Sequence, residues 1–152
     1  MTQIGILTCA NATQDLDCCS YLCLHDLNEG AGTFSVHEES GGTKLVGIIS
    51  CAGCPTSVAP EKILKRIHSL AETGLGAIHV ANCVMTLCPF LKLYRRLIEE
   101  HFPEIQLILG THGQPDVESE ASYKAIVKEM LCQKIQSLAD VTRAVSDLLH
   151  EE

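Results

Sequence analysis

The chain has 152 residues, with a net charge of −8 and 20% charged residues. That length suits one domain with a sizeable core, and an apolar share of 46% is ordinary for a globular protein. The acidic balance, with no basic run to offset it, excludes a nucleic-acid binder that would replace counterions with a basic face.

A first strand is predicted over 3–9, QIGILTC. Residues 16–30 read as a helix, because Leu16, Cys19, Cys23 and Leu27 fall at helical spacing and Gly30 supplies a stop. GTFSVHE, 32–38, reads as a strand. It is placed either in a hairpin with KLVGIIS, 44–50, through Gly41 and Gly42, or at the sheet edge. A helix starts near Pro60, with Ile63, Leu64, Ile67, Leu70 and Ala71 on one face, and Gly74 and Gly76 end it. AIHVANC, 77–83, is the next strand. PFLKLYRRLIEEHF, 89–102, is a helix with Pro89 suited to its first turn, and IQLILGTH, 105–112, is another strand. The tail, about 119–149, keeps a helical period through Ile126, Met130, Leu131, Ile135, Leu138, Val145 and Leu148, with a break near Asp140.

No linker or low-complexity tract divides the chain, so a single domain over 1–152 is expected. The alternation of strands and helices predicts an α/β fold: a three-layer, mostly parallel sheet of four to five strands with helices on both faces, flavodoxin- or Rossmann-like. Ligands bind such sheets at the carboxyl ends of the strands. The N-terminal MTQIGILTCANATQDLD lacks a signal peptide's basic region and turns acidic after a short apolar run. The longest uncharged stretch, 74–91, is interrupted by His79, Asn82, Thr86 and Pro89. It reads as strand, loop and helix start rather than a membrane span. The cytoplasm is the expected compartment, with no membrane and no nucleic-acid partner.

Nine cysteines are too few for a disulfide scaffold, and an odd count in a reducing compartment argues the same way. Their positions are more informative than their number. Three predicted strands end in cysteine: ILTC at Cys9, IISC at Cys51 and VANC at Cys83. A fourth ends in GTH at His112. Neighbouring strands lie about 4.8 Å apart, close to the spacing of sulfurs around a tetrahedral zinc. Cys51 leads to Cys54 and Pro55, and Cys83 to Cys88 and Pro89, so Cys54 and Cys88 fall near predicted helix starts, where a thiolate is stabilised. Cys18, Cys19 and Cys23 lie in the first helix, Cys19 and Cys23 one turn apart.

Any one strand-end cysteine could simply pack as a small apolar residue; repetition at strand ends is what packing does not require. Cys18, Cys19 and Cys23 could equally form a core stripe with Leu16 and Leu27. Cys132 reads as structural. His112 reads as functional and His79 as a satisfied interior histidine, while His25, His37, His68, His101 and His150 read as surface positions. Neither a G-x-G-x-x-G after a strand nor a Walker-type loop occurs.

The strand ending in Cys9, the cysteines of the following helix, CAGCP at 51–55, HVANC leading to CP at 79–89, and GTH at 110–112 together resemble the CGGC-domain family, over about residues 3–115. Alanine stands at position 52, where the family name has its first glycine. The resemblance implies a metal-binding α/β domain rich in cysteine and histidine, with zinc expected.

The leading expectation is a zinc-binding protein whose ligands come from Cys9, Cys51, Cys54, Cys83, Cys88 and His112, with Cys18, Cys19 and Cys23 as further candidates. An iron–sulfur cluster is the first alternative, since thiolates suit it equally. A thiol–disulfide redox enzyme using Cys51 and Cys54 is the second, in which those two would be catalytic. The metal ion is the expected partner, and a homodimer or a protein partner is left open.

Overall fold

The computed structural model describes residues 1–53 and 59–113. Its elements run β1 (Thr2–Thr8), α1 (Ala10–Gln14), α2 (Tyr21–Glu29), a 3₁₀ helix (Gly32–Ser40), β2 (Thr43–Ser50), α3 (Ala59–Ala71), β3 (Ala77–Val80), α4 (Asn82–Leu87), α5 (Leu91–His101) and β4 (Gln106–Leu109). The predicted tail helix, 119–149, lies outside the described residues.

All strand pairs are parallel, in the order β2-β1-β3-β4. β1 and β3 are buried on both faces, as parallel strands covered by helices must be, and they read as nearly continuous apolar runs for that reason. Ile4 and Ile6 pack with Cys23, Phe34, Ala77 and Ala81 on the face of α2 and the 3₁₀ helix. Leu7, Ile78 and Val80 pack with Ile63 and Ile67 of α3 and Tyr94 and Ile98 of α5 on the other. The i, i+4 spacing of those two helical pairs builds the apolar stripes. Each fully buried isoleucine contributes about 2 kcal/mol of transfer free energy. The described residues thus form the expected α/β three-layer fold. The strand order reverses between β1 and β3, the position at which open parallel sheets take ligands beyond their carboxyl ends.

Residues 32–38 do not form a strand, and β2 pairs with β1 rather than in a hairpin. A strand would place Phe34 and Val36 on one face, yet Phe34 is 1% exposed and Val36 58%. The buried pair is Phe34 and His37, which share one side at three residues per turn. His37, read as a surface position, is therefore interior. The helix expected from residue 16 begins only at Tyr21, because Asp17 (φ 52°) and Ser20 (φ 60°) take left-handed backbone that no α-helix accommodates. The strands expected to reach Cys9 and Cys83 stop at Thr8 and Val80, and short helices start directly after them.

His79 of β3 is fully buried, as expected of an interior histidine. Its Nδ1 lies 3.2 Å from the Gly110 carbonyl, which can only accept, so this nitrogen carries the proton. The Nε2 of His79 then accepts from His37 Nε2–H at 3.0 Å. The Thr33 hydroxyl donates to the Gly110 carbonyl at 2.8 Å. This polar seam fastens the 3₁₀ helix to β3 and to the end of β4.

Gly32 closes that junction. It has φ +58°, and a Cβ there would stand 2.4 Å from the Thr111 carbonyl oxygen. Gly32→Ala is expected to cost about 2 kcal/mol or more in urea unfolding. Gly30→Ala is the control: φ is +63° but nothing lies within 4 Å, so only backbone strain of about 1 kcal/mol applies. Equal losses for the two would contradict this reading of the junction.

Candidate functional site

The last register pair of β1 and β2 is Thr8 with Ser50, and Cys51 N–H donates to the Thr8 carbonyl at 2.8 Å. Cys9 and Cys51 are therefore the next positions on neighbouring parallel strands. Both are buried in the same apolar cluster, at 4% and 7% exposure. The Cys9 thiol donates a hydrogen bond to the Cys51 sulfur. The Cys51 sulfur also accepts from Ala10 N–H at 3.2 Å. Gly53 turns the chain with φ +88° and directs its N–H to the same sulfur. The left-handed residue of the motif is thus Gly53, and alanine at position 52 is accommodated.

Charge follows from this geometry. The Cys9 hydrogen bond, then the N–H groups of Ala10 and Gly53 and the Arg66 cation, depress Cys51 to about 5 against the cost of burial. Cys9 moves far the other way, because its proton serves Cys51 and because it is buried. The two behave as a pair that gives up its first proton early and its second very late.

Arg66 reaches across from α3. Its Nη1 donates to the Cys51 carbonyl at 3.1 Å and also to the Ser50 carbonyl. Nothing in its sequence setting marks it, since it sits among Lys62, Lys65 and His68 on an ordinary helix. Arg66→Met is expected to raise the Cys51 midpoint by up to about one unit. The measurement is the pH dependence of ultraviolet thiolate absorbance, taken as the difference between each protein and its Cys51→Ser counterpart. An unmoved midpoint would leave Arg66 only a structural clasp.

The other thiols are distributed around this pair. Cys83, in α4, is half-buried, and its sulfur accepts from Cys9 N–H at 3.3 Å. Burial raises its pKa. It also packs against the cluster holding Cys23, whose sulfur lies 3.2 Å from the Thr111 hydroxyl. Burial raises Cys23 as well. Cys18 and Cys19 are exposed. Cys88 caps the C-terminus of α4, with α5 beginning three residues later, and packs against the α3–α5 core. His112 is half-buried; its side chain meets Asn82 Nδ2 at 3.3 Å and the Gly113 carbonyl at 3.0 Å. Asn82 also accepts from Thr111 N–H at 3.0 Å, tying α4 to the end of β4. Cys54 lies outside the described residues.

Among the described residues, no group of three His, Cys, Asp or Glu side chains is arranged to hold a metal ion. Two neighbouring buried cysteines, the sulfur of Cys51 backed by the Ala10 N–H, are nonetheless the donor chemistry a soft metal takes. No helix among the described residues is long and apolar enough to cross a membrane.

Fold and site together define a cysteine-rich parallel α/β domain with Cys9, Cys51 and Cys83 just beyond the ends of β1, β2 and β3. The CGGC domain model matches residues 3–112, and the chain belongs to that family. No curated protein and no solved structure matches it.

Proposed function

We propose that Cys9 and Cys51 form the core of a metal-binding centre, with zinc as the metal. The observation that carries this is the placement of two buried cysteines side by side, one position beyond the last register pair of β1 and β2. Cys9 and Cys51 would hold the metal as thiolates once deprotonated, with the apolar surround and the Ala10 N–H keeping their sulfurs in place. Tetrahedral zinc takes four ligands. Cys83, whose sulfur rests on the Cys9 backbone, and Cys54, next along the chain, are the candidates for the others. Cys88, His112, Cys18, Cys19 and Cys23 have partners elsewhere or sit apart from the pair in the strand-end arrangement, which ranks them lower.

The iron–sulfur alternative uses the same sulfurs and is separated by colour, since zinc is colourless. With Cys51 at 7% exposure, a protein disulfide cannot approach its sulfur in line, which counts against Cys51 as the attacking thiol of a general thiol–disulfide enzyme. The test is elemental analysis of the full chain purified anaerobically. Stoichiometric zinc in colourless protein is the expected result. Metal-free protein with every thiol reduced would overturn the proposal, and iron with visible absorption would replace zinc by a cluster.

A further inference from the structure

We infer that Cys9 and Cys51 are also a reversible oxidation site: in the metal-free chain, a small hydroperoxide joins them in a disulfide. The placement carries the inference. The two residues follow the last register pair of adjacent parallel strands, and the ladder bond from Cys51 N–H to the Thr8 carbonyl continues at 2.8 Å. Neighbouring strands lie about 4.8 Å apart, inside the Cα window of about 4.4–6.8 Å that a disulfide requires. Both side chains lie in one buried apolar cluster, and the Cys51 sulfur accepts from the N–H of Ala10, the residue next to Cys9. Cys83 is less well placed as a partner, since its sulfur meets the Cys9 backbone N–H rather than the thiol.

The chemistry balances with the hydroperoxide as oxidant. The Cys51 thiolate attacks the terminal oxygen, forming S–O as O–O breaks. The departing hydroxide or alkoxide takes a proton from solvent. The Cys9 sulfur then attacks Cys51, S–S forms and S–O breaks, and the second hydroxide leaves as water with the Cys9 proton. Two thiols are oxidised and one peroxide is reduced. Exposures of 4% and 7% restrict the oxidant to a small one.

The inference uses the same sulfurs as the proposed metal centre but is tested without metal, so the two can fail separately. The metal-free full chain is treated with hydrogen peroxide, alkylated, cut with trypsin without reduction, and mapped by fragment mass spectra. The first lysine is Lys44, so Cys9 lies in the peptide 1–44, Cys51 in 45–62 and Cys83 in 67–92. The expected product is 1–44 joined to 45–62 through Cys9 and Cys51. It should also form in Cys54→Ser, disappear in Cys9→Ser, and revert fully with dithiothreitol. A bridge mapped to Cys54 or to the 67–92 peptide would overturn the inference. So would sulfinic acid at Cys51 beside an unmodified Cys9 in the wild-type chain, a result that needs no variant to fold. A bridge in a chain that never takes up zinc would sink the metal proposal alone.

Discussion

Cys51→Ser is expected to abolish zinc retention, lowering affinity at least about 100-fold relative to the wild-type chain. Serine keeps the shape of the side chain, but its hydroxyl stays protonated at neutral pH and is a poor zinc ligand. It also leaves the Cys9 proton, the Ala10 and Gly53 N–H groups and the Arg66 cation without the anion they surround. The readout is competition against a chelator of known zinc affinity. Thermal melting gives a second: zinc at about 1,000 times its Kd adds about 4 kcal/mol to wild-type stability and is expected to add nothing to the variant. Cys18→Ser and Cys19→Ser, at exposed positions, are expected to bind as the wild type does. Full zinc affinity in Cys51→Ser would contradict the placement of the centre.

Acid is expected to destabilise the described fold through the histidine seam, independently of any metal. Burial first, and then the neighbouring His37, depress His79 to about 4, although its bond to Gly110 works the other way. Burial lowers His37 as well. In the unfolded chain a histidine titrates near about 6.5. Between those values the unfolded chain binds a proton that native His79 refuses, so stability is complete above about pH 6.5 and is lost as pH falls towards about 4. At about 1.4 kcal/mol per unit, His79 alone accounts for a loss of about 3 kcal/mol. Cys51 pulls in the same direction, since its native value also lies below its unfolded one, so the decisive measurement is a difference. His79→Leu leaves His37 Nε2–H without its partner and the Gly110 carbonyl with the Thr33 hydroxyl alone, and should cost about 1–3 kcal/mol at pH 7. Its urea stability should then fall less steeply than the wild type's below pH 6.5. Parallel curves for the two proteins would remove His79 as the source.

Much of this arrangement is legible in the residues themselves. β1, β3 and β4 announce themselves as short apolar runs, and α3 and α5 as apolar stripes at i, i+4. The family is legible in CAGCP and its flanking cysteines. What escapes is set by tertiary contacts. GTFSVHE alternates like a strand, but in the fold it is a 3₁₀ helix that buries Phe34 and His37 on one side, with His37 against His79. Asp17 and Ser20 delay α2 through left-handed backbone, which aspartate adopts more readily than most residues but which its presence alone does not dictate. Strand-end cysteines are visible in the sequence, but which of them meet depends on register. The order β2-β1-β3-β4 puts Cys9 beside Cys51, whereas His112 turns to Asn82 and Gly113. Arg66 is invisible as a site residue, because its role is a contact from α3 to two carbonyls at the end of β2.

The most direct test of the account is a cobalt(II) titration of the anaerobic, metal-free full chain. Cobalt takes the place of zinc in thiolate sites and reports sulfur ligation by its charge-transfer absorption. The account predicts saturable thiolate-to-cobalt bands in the wild-type chain that persist in Cys18→Ser and vanish in both Cys9→Ser and Cys51→Ser. Wild-type protein that develops no such bands, or bands unchanged by the loss of either Cys9 or Cys51, would contradict it.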